Sequence, residues 1–503
     1  MRMNFSSSIQ WCRVWLSNDL PSLKFHPSPL VPNIMIFQAF VIASQSWISF
    51  STGVLFGQVA GLVAALHNKE EGIELSDEQI SLIASTPPLL CVVGFTSLAF
   101  ITDKIGRRWP YIFFCLSMTI NWIILYYATQ MYQFMLSRII GGISVGALVT
   151  ANLFVTSEYT CPNTRALFIN ITSVITPAIG TAVGHAMGIL MQWRHAALFG
   201  LLTAFVSTTL PYFWIDSPHW LASKGKFEEC EKAFRMLHGT SQSSERQLQL
   251  LLKLERSKFE AVKQRQCEHT LKRIVTVLKR RYFWDVLLLS VFMNIYLIAS
   301  EKMAFSLLGS VIIGHITGST DVLLFTFIID GFLILGPCLS CMIIRKSSMR
   351  ALLFTSGFAA NFVLLIFSLS YYIRNGDNLF NWINVGLLAL YFIIVNAGTC
   401  PVLEVIYSEM FPIEIKLYAF IVSGTIMMVG SSFSVFILPF IVKSVDYHGL
   451  FMINCLLMSI SLVYIWWKLP ETKGKTLQEI EVYFKTKNFH LDDFSTEQLK
   501  SLV

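Results

Sequence analysis

The stretch from Gln133 to Val155 reads QFMLSRIIGGISVGALVTANLFV and contains one charged residue, Arg138. An apolar run of about 20 residues is the length of an α-helix that crosses the hydrocarbon core of a bilayer. The whole chain agrees with this interpretation, because 54% of its 503 residues are hydrophobic and only 14% are charged. A soluble protein carries about a quarter charged residues. The sequence therefore predicts a polytopic membrane protein.

Eleven further runs of similar length predict an all-α fold with twelve transmembrane helices. Several of them contain Gly or Pro, which membrane helices tolerate better than soluble helices do. The twelve predicted spans are residues 34–57, 79–101, 109–128, 133–155, 166–190, 195–215, 282–305, 320–344, 349–372, 382–407, 417–440 and 449–468.

The basic residues are concentrated on one side of these spans. Of the 38 Lys and Arg residues, 32 lie in the two tails, in the connections 2–3, 4–5, 6–7, 8–9 and 10–11 or, as Arg350 and Lys468 do, at the adjoining span ends. The positive-inside rule therefore predicts that both termini are cytoplasmic. The net charge of +7 is spread between apolar runs, which argues against a nucleic-acid partner.

A long hydrophilic insert at residues 216–281 divides the spans six and six. Apolar residues at helical spacing between Phe227 and Leu237, and a charged amphipathic pattern from Glu245 to Gln266, predict short helices in this insert. The predicted organisation is an N-terminal tail at 1–33, a six-helix bundle at 34–215, a cytoplasmic helical linker at 216–281, a second six-helix bundle at 282–468 and a C-terminal tail at 469–503.

The two halves repeat each other. Ser157-Glu158 is followed by Arg165, and Ser408-Glu409 is followed by Lys416 at the same spacing, with an offset of 251 residues. Basic loops after the second and eighth spans, and Pro-containing segments after the sixth and twelfth, also recur at matching places. Such a repeat predicts two bundles related by a pseudo-two-fold axis.

These motifs resemble those of the sugar porter branch of the major facilitator superfamily, especially insect facilitated trehalose transporters and animal facilitative glucose transporters. The resemblance covers about residues 34–481. Its specific parts are Asp103 to Arg108, Arg138 with Gly141, Gly142 and Gly146, Ser157-Glu158 with Arg165, Ser217 to Leu221, Ser408 to Pro412, and Pro470 to Gly474. The resemblance implies that two bundles rock about a central site and open it alternately to each side.

The resemblance also implies an inner gate made of charged residues on the cytoplasmic side. Rim-exposed ion pairs, each contributing about 0–1 kcal/mol, suit a gate that must form and break in each cycle. The alternative is that these charges only anchor loops by the positive-inside rule. Because His219 stands where the family has Arg, its contribution is expected to depend on pH. The candidates are Asp103, Arg107, Arg108, Glu158, Arg165, His219, Glu409, Lys416 and Glu471.

The predicted solute path departs from the family pattern. The glutamines of the seventh span are replaced, and only Asn294 keeps an amide there. In the tenth span Glu404 stands where the family has a Trp that would stack on a sugar ring, and this carboxylate favours a cationic solute or lines a hydrated cavity. The candidate substrate-binding residues are Ser173, Asn294, Asn396 and Glu404.

Two titratable residues lie inside predicted spans. A carboxylate in lipid is expensive, so Asp330 is expected to face the bundle interior and either to pair with Lys302 or to stay protonated; a proton relay is the weaker alternative. His185 is expected to be a hydrogen-bonded packing residue rather than a titrating one. The first span carries no carboxylate, whereas proton-coupled sugar porters usually place an Asp there, so the resemblance favours facilitated diffusion.

The sequence contains no nucleotide-binding loop and no His-Glu-x-x-His metal motif, so neither an enzyme nor a cofactor or metal site is expected. The main interpretation is a facilitative sugar carrier, for a hexose or trehalose, in the plasma membrane; its partners are the solute and the lipid bilayer. One alternative is a carrier for another organic solute, such as a cationic one. The other is a non-transporting sensor or receptor on the same fold.

Overall fold

A computed structural model describes residues 31–264, 281–301, 322–373, 378–411 and 416–486. Every regular element within these ranges is helical. Eleven helices in the described chain are long and apolar enough to cross a membrane, and a shorter apolar helix runs from Ile421 to Ser434. Together they correspond to the twelve predicted spans.

The first six spans form the N-terminal half. The first helix, Val31–His67, extends ten residues beyond the predicted end of its span. The others begin and end close to the predicted positions. Their bounds are Asp77–Ile105, Arg108–Tyr126, Met131–Tyr159, Pro162–Leu190 and Trp193–Phe213.

Three helices of the linker follow, at Pro218–Ser223, Phe227–His238 and Gln242–Gln264. The side chain of Ser217 caps the first by accepting a hydrogen bond from the Trp220 backbone N–H. The linker has its own small core, in which Cys230, Phe234 and Leu251 are buried. The predicted helical patterns are therefore confirmed up to Gln264, and residues 265–280 lie outside the described ranges.

The C-terminal half contains the other six spans. Its helices include Arg281–Ala299, Val322–Lys346, Met349–Ile373 and Phe380–Glu409. The eleventh and twelfth spans are two helices within Lys416–Lys468, separated by a kink at Asp446, where φ is 57°. A short helix, Leu477–Thr486, follows.

Each half has its own hydrophobic core. The two halves meet in three places: between the second and eleventh spans, between the fifth and eighth spans, and where the end of the tenth span contacts the fourth and fifth. A movement of one half against the other must therefore change contacts in these places.

Glycines bring the first and fifth spans into backbone contact. Gly53, Gly57 and Gly61 face Gly180, Gly184 and Gly188, and both sets repeat every four residues. A β-carbon added to Gly57 would lie 2.1 Å from the Thr181 carbonyl oxygen. Small residues at this spacing allow close packing of membrane helices. We call this contact the glycine ladder.

Gly57→Ala should destabilise the protein, because the new methyl group meets backbone atoms rather than a side chain that can rotate. Overpacking of this kind costs about 1–3 kcal/mol, and we expect a value at the upper end. Thermal unfolding of the detergent-purified protein measures it. Gly386→Ala is the matched control, since no atom lies within 4 Å of its added β-carbon; equal unfolding midpoints for the two variants would contradict this account of the ladder.

Candidate functional site

One side of the membrane helices carries the linker, and here we call it the linker side. On this side Arg107 binds Glu158 through two nitrogens, with the Nη2–Oε1 distance at 2.9 Å and the Nε–Oε2 distance at 3.1 Å. Ser217 at the start of the linker donates a hydrogen bond to the same carboxylate at 2.6 Å. These three residues tie the second, third and fourth spans to the linker within the N-terminal half.

A second ion pair joins the two halves. Arg165, at the start of the fifth span, lies 3.0 Å from the carboxylate of Glu409 at the end of the tenth span. The side chains are 4% and 5% exposed. The expectation of rim-exposed pairs is therefore wrong for this contact, because helix ends from both halves cover it. Removing one partner of a buried pair costs about 3–5 kcal/mol, far more than at an exposed pair.

Other candidate gate residues bind backbone groups. Arg108 donates to the carbonyl oxygen of Tyr212. Glu471 accepts hydrogen bonds from the backbone N–H groups of Met349 and Arg350, both at 3.1 Å, and so caps the ninth span. These contacts hold each helix end within its own half. The side chains of Asp103 and Lys416 lie outside the described part of the chain.

His219 lies on the first linker helix, near enough to His238 for the charge of one imidazole to affect the other. Burial, with smaller contributions from the charges of His219 and Arg165, lowers the pKa of His238 to about 3. His238 is therefore neutral at physiological pH. Its Nδ1 atom lies 3.2 Å from the Cys161 sulfur, and burial raises the pKa of that thiol, so this contact joins two uncharged groups.

The fifth span contains a π-helical turn at Asn170–Ile175, and the tenth contains another at Val395–Thr399. Such turns occur frequently at functional sites, since they redirect side chains within a helix. Ser173 lies in the first turn and Asn396 in the second. Two of the predicted solute-binding residues therefore occupy the irregular turns of their spans.

Polar contacts surround the π turn of the fifth span. Asn152 on the fourth span donates to the Thr172 carbonyl oxygen at 3.0 Å and to Ser173 at 3.2 Å. Thr156 donates to Gln45 on the first span at 3.0 Å. Sequence reasoning missed Gln45, Asn152 and Thr156, although a Gln and an Asn inside apolar runs are signals that could have identified them.

The π turn also contacts the other half. Asn170 donates to the Pro337 carbonyl oxygen on the eighth span at 2.9 Å. On the far side of that helix, a β-carbon added to Gly336 would lie 2.7 Å from the Asn396 β-carbon. Asn170 and Asn396 therefore flank one short segment of the eighth span.

Three buried asparagines beside the two π turns share one hydrogen-bonding pattern, which Asn294 on the seventh span also has. The amide nitrogens of Asn152, Asn170 and Asn396 bind protein acceptors. Their side-chain oxygens have no hydrogen-bond partner among the described residues. An unsatisfied buried acceptor costs about 1–3 kcal/mol, and a hydroxyl group that reached it would offset this cost.

The remaining predicted solute-binding residues lie in the C-terminal half. Asn294 on the seventh span is buried and donates to the backbone oxygen and the hydroxyl of Ser423, both at 2.9 Å. Glu404 is half-buried in the helix Cys400–Glu409. Glu404 precedes Glu409 by five residues, which places it about 7.5 Å further into the membrane.

Asp330 has a partner that the sequence did not indicate. Lys302 lies outside the described residues, so pairing with it stays a prediction. The carboxyl group of Asp330 contacts Nδ1 of His185, 3.0 Å away. His185 is therefore hydrogen-bonded, as expected, and its partner is a carboxyl group of the other half. Among the described residues, no three His, Cys, Asp or Glu side chains are grouped in a way that could hold a metal ion.

Comparison with known proteins places this architecture in a family. Residues 38–484 match the family model described as "Sugar (and other) transporter". The chain is 25% identical over 449 residues to Sugar transporter ERD6-like 17 of Arabidopsis thaliana, covering 86% of this chain and 89% of that one. It is 23% identical over 442 residues to the Facilitated trehalose transporter Tret1 of Apis mellifera ligustica, covering 84% and 83%.

The fold is similar to a solved structure of the proton:xylose symporter XylE bound to 6-bromo-6-deoxy-D-glucose. The TM-score is 0.74 at 18% identity, and the match covers 90% of this chain and 99% of that one. The chain is a multi-pass membrane protein with the twelve-helix major facilitator fold. It belongs to the sugar (and other) transporter family, within the sugar porter branch of the major facilitator superfamily.

Proposed function

We propose that this protein is a facilitative carrier for a sugar of the hexose or trehalose class, and that it works by alternating access. In this proposal the linker side is cytoplasmic and the carrier acts in the plasma membrane. The observation that carries the proposal is the set of three buried asparagine oxygens on the fourth, fifth and tenth spans. They are neutral acceptors, and a sugar presents many neutral hydroxyl donors.

The position of these asparagines supports the substrate class. Asn152, Asn170 and Asn396 are joined by contacts through the π turn of the fifth span and the Gly336-Pro337 segment. Neutral hydrogen bonds discriminate between solutes because an unmatched polar group is costly when it is buried. The names of the Arabidopsis and honeybee relatives agree with a sugar.

The linker-side ion pair supports alternating access. Arg165 and Glu409 join the two halves beside the π turn, since Arg165 lies only five residues before Asn170. A central site closed on this side by an ion pair between halves can open there only when the pair separates. The candidates Asp103, Arg107, Arg108, Glu158, His219, Lys416 and Glu471 would then position the helix ends that carry this pair.

Uptake into proteoliposomes tests the proposal. Labelled glucose and trehalose should accumulate faster than in protein-free vesicles, and unlabelled sugar inside the vesicles should accelerate uptake of the labelled sugar. Such acceleration occurs only when the binding site of a carrier crosses back through the membrane with a sugar bound. Binding of a sugar without uptake would instead indicate a sensor, and the absence of both binding and uptake of either sugar would contradict the proposed substrate class.

Glu404 favours a second candidate, a carrier for a cationic organic solute. An ionisable side chain inside a transport helix is a functional candidate, and Glu404 occupies the family's aromatic position on the tenth span. If it contacts a cation, Glu404→Gln should raise the half-saturation concentration for that solute by about tenfold or more, as expected for the loss of a charged hydrogen bond of about 1.5–3 kcal/mol.

The matched measurement uses Glu404→Trp, which restores the family's residue. This variant should bind sugar more tightly if the main proposal is correct and should not rescue cation uptake. Unchanged half-saturation for every solute in both variants would remove Glu404 from the site. Surface biotinylation should give equal amounts of each variant in the membrane.

A further inference from the structure

His185 and Asp330 form a contact between the two halves of the protein. His185 lies on the fifth span and Asp330 on the eighth, and the imidazole Nδ1 is 3.0 Å from one carboxylate oxygen and 3.2 Å from the other. The side chains are 8% and 6% exposed. A carboxylate in such surroundings is stable only with a good partner, and here the other half supplies it.

The pair lies at the end of the fifth span that is remote from the linker. His185 follows Arg165 by 20 residues along one continuous helical span, which corresponds to about 30 Å at 1.5 Å per residue. The fifth span therefore contacts the C-terminal half through a close polar contact near each end. Arg165 meets Glu409 on the linker side, and His185 meets Asp330 near the opposite side.

The chemistry of the two contacts differs. Arginine keeps its charge at every physiological pH, so the contact with Glu409 does not respond to protons. Histidine gains and loses its charge near neutral pH. A hydrogen bond between a charged imidazolium and a carboxylate is about twice as strong as a neutral one, so the contact with Asp330 is strongest when His185 carries a proton.

The helices packed against this pair carry other titratable groups. They are His67 on the first span, Arg165 on the fifth, Arg194, His195 and Tyr212 on the sixth, Cys338, Cys341, Arg345 and Lys346 on the eighth, and Tyr391, Cys400, Glu404, Tyr407 and Glu409 on the tenth.

These groups have other positions or partners. Arg194 binds Glu71 at the membrane edge remote from the linker, and Tyr391 donates to the Ser300 carbonyl oxygen. Among the described residues, the one contact at salt-bridge distance that His185 or Asp330 makes is the contact between them.

We infer that His185 and Asp330 form a proton-binding latch that closes the carrier on the side opposite the linker. The inference rests on the proposed alternating access. Opening that side separates the fifth and eighth spans and breaks the pair, whereas a proton on His185 strengthens the pair and favours closure. Acidification on that side, which is extracellular in our proposal, should hold the carrier closed there.

A cysteine reporter tests the latch without any substrate. Ile334 lies one helical turn from Asp330 toward the linker side, on the same face of the eighth span, so a reagent from the opposite side should reach Ile334→Cys only when the latch is open. Intact cells are treated with a membrane-impermeant thiol reagent at about pH 7.5 and about pH 5.5, on either side of the ordinary histidine pKa of 6.5. Labelling of the protein that keeps Ile334 is measured in the same way and subtracted, because it comes from the native cysteines.

The same reporter in the His185→Gln background corrects for the effect of pH on thiol reactivity. Relative to this variant, labelling in the chain that keeps His185 should fall about threefold or more on acidification, because a proton that binds the closed state more tightly shifts the population toward that state. Asp330→Asn should abolish the fall. Exchanging the two residues, His185→Asp with Asp330→His, should restore it. A ratio that stays constant with pH in properly folded protein, judged by size-exclusion chromatography, would overturn the inference.

The reporter also separates this inference from the proposed function. A chain that shows the pH-dependent labelling but takes up no sugar supports the latch and contradicts the proposed substrate. A chain that takes up sugar with pH-independent labelling supports the carrier and contradicts the latch.

Discussion

Glu409→Gln should open the linker side of the protein. The substitution removes the carboxylate that binds Arg165 across the two halves, and this contact exists only while the halves are joined there. Loss of one partner of a buried pair costs about 3–5 kcal/mol, and each 1.4 kcal/mol changes a population ratio tenfold. The open state should therefore increase by about tenfold or more.

Cys341 is a natural reporter for this opening. Its sulfur lies 3.3 Å from the amide nitrogen of Asn170, between the eighth and fifth spans. In nanodiscs, Glu409→Gln should label faster at Cys341 than the unmodified protein does, and Cys341→Ser identifies the labelled site. Exchanging the charges, Arg165→Glu with Glu409→Arg, should restore slow labelling. If labelling is as slow in Glu409→Gln as in the unmodified protein, the pair does not close this side.

Glu158→Gln should lower stability rather than change conformation. Glu158 occupies the position in the N-terminal half that Glu409 has in the C-terminal half, but among the described contacts it binds Arg107 of its own half and Ser217 at the start of the linker. These contacts persist in every arrangement of the two halves. Losing them therefore destabilises every arrangement equally. We expect a loss of about 3–5 kcal/mol, measured by thermal unfolding, with little change in the labelling of Cys341.

Glu74→Gln is the control for both substitutions. Glu74 pairs with Lys69 in water, where the two side chains are 76% and 64% exposed, and such pairs contribute about 0–1 kcal/mol. Neither unfolding nor labelling should change. A Glu158→Gln variant with unaltered unfolding but rapid Cys341 labelling would show that the two repeated glutamates act in the same way, contrary to the contacts described above.

Hydropathy was sufficient to predict the spans, because lipid requires about 20 apolar residues in each helix. It did not locate the end of the first helix at His67, since helical structure can continue beyond the membrane. The π turns were also missed. They insert a residue into the helical repeat without changing the apolar composition from which the spans were read.

The partners of charged residues were harder to predict than their positions. The repeat of Ser157-Glu158 and Ser408-Glu409 suggested equal roles, yet one glutamate pairs within its half and the other across the halves. A pattern in the sequence specifies where a charge lies along a helix, whereas its partner depends on which helices are neighbours. For the same reason nothing in the sequence joined His185 to Asp330, which are 145 residues apart.

The glycine ladder was readable from the four-residue spacing in the first and fifth spans, and it limits how the carrier can move. A shift of one residue along the helix axis, about 1.5 Å, would bring β-carbons of neighbouring residues against the opposite backbone. The next register that aligns glycine with glycine is about 6 Å away. The two helices therefore cannot slide past each other in small steps. They translate and rotate as one mechanical unit, so any displacement of His185 relative to the eighth span carries the first span with it.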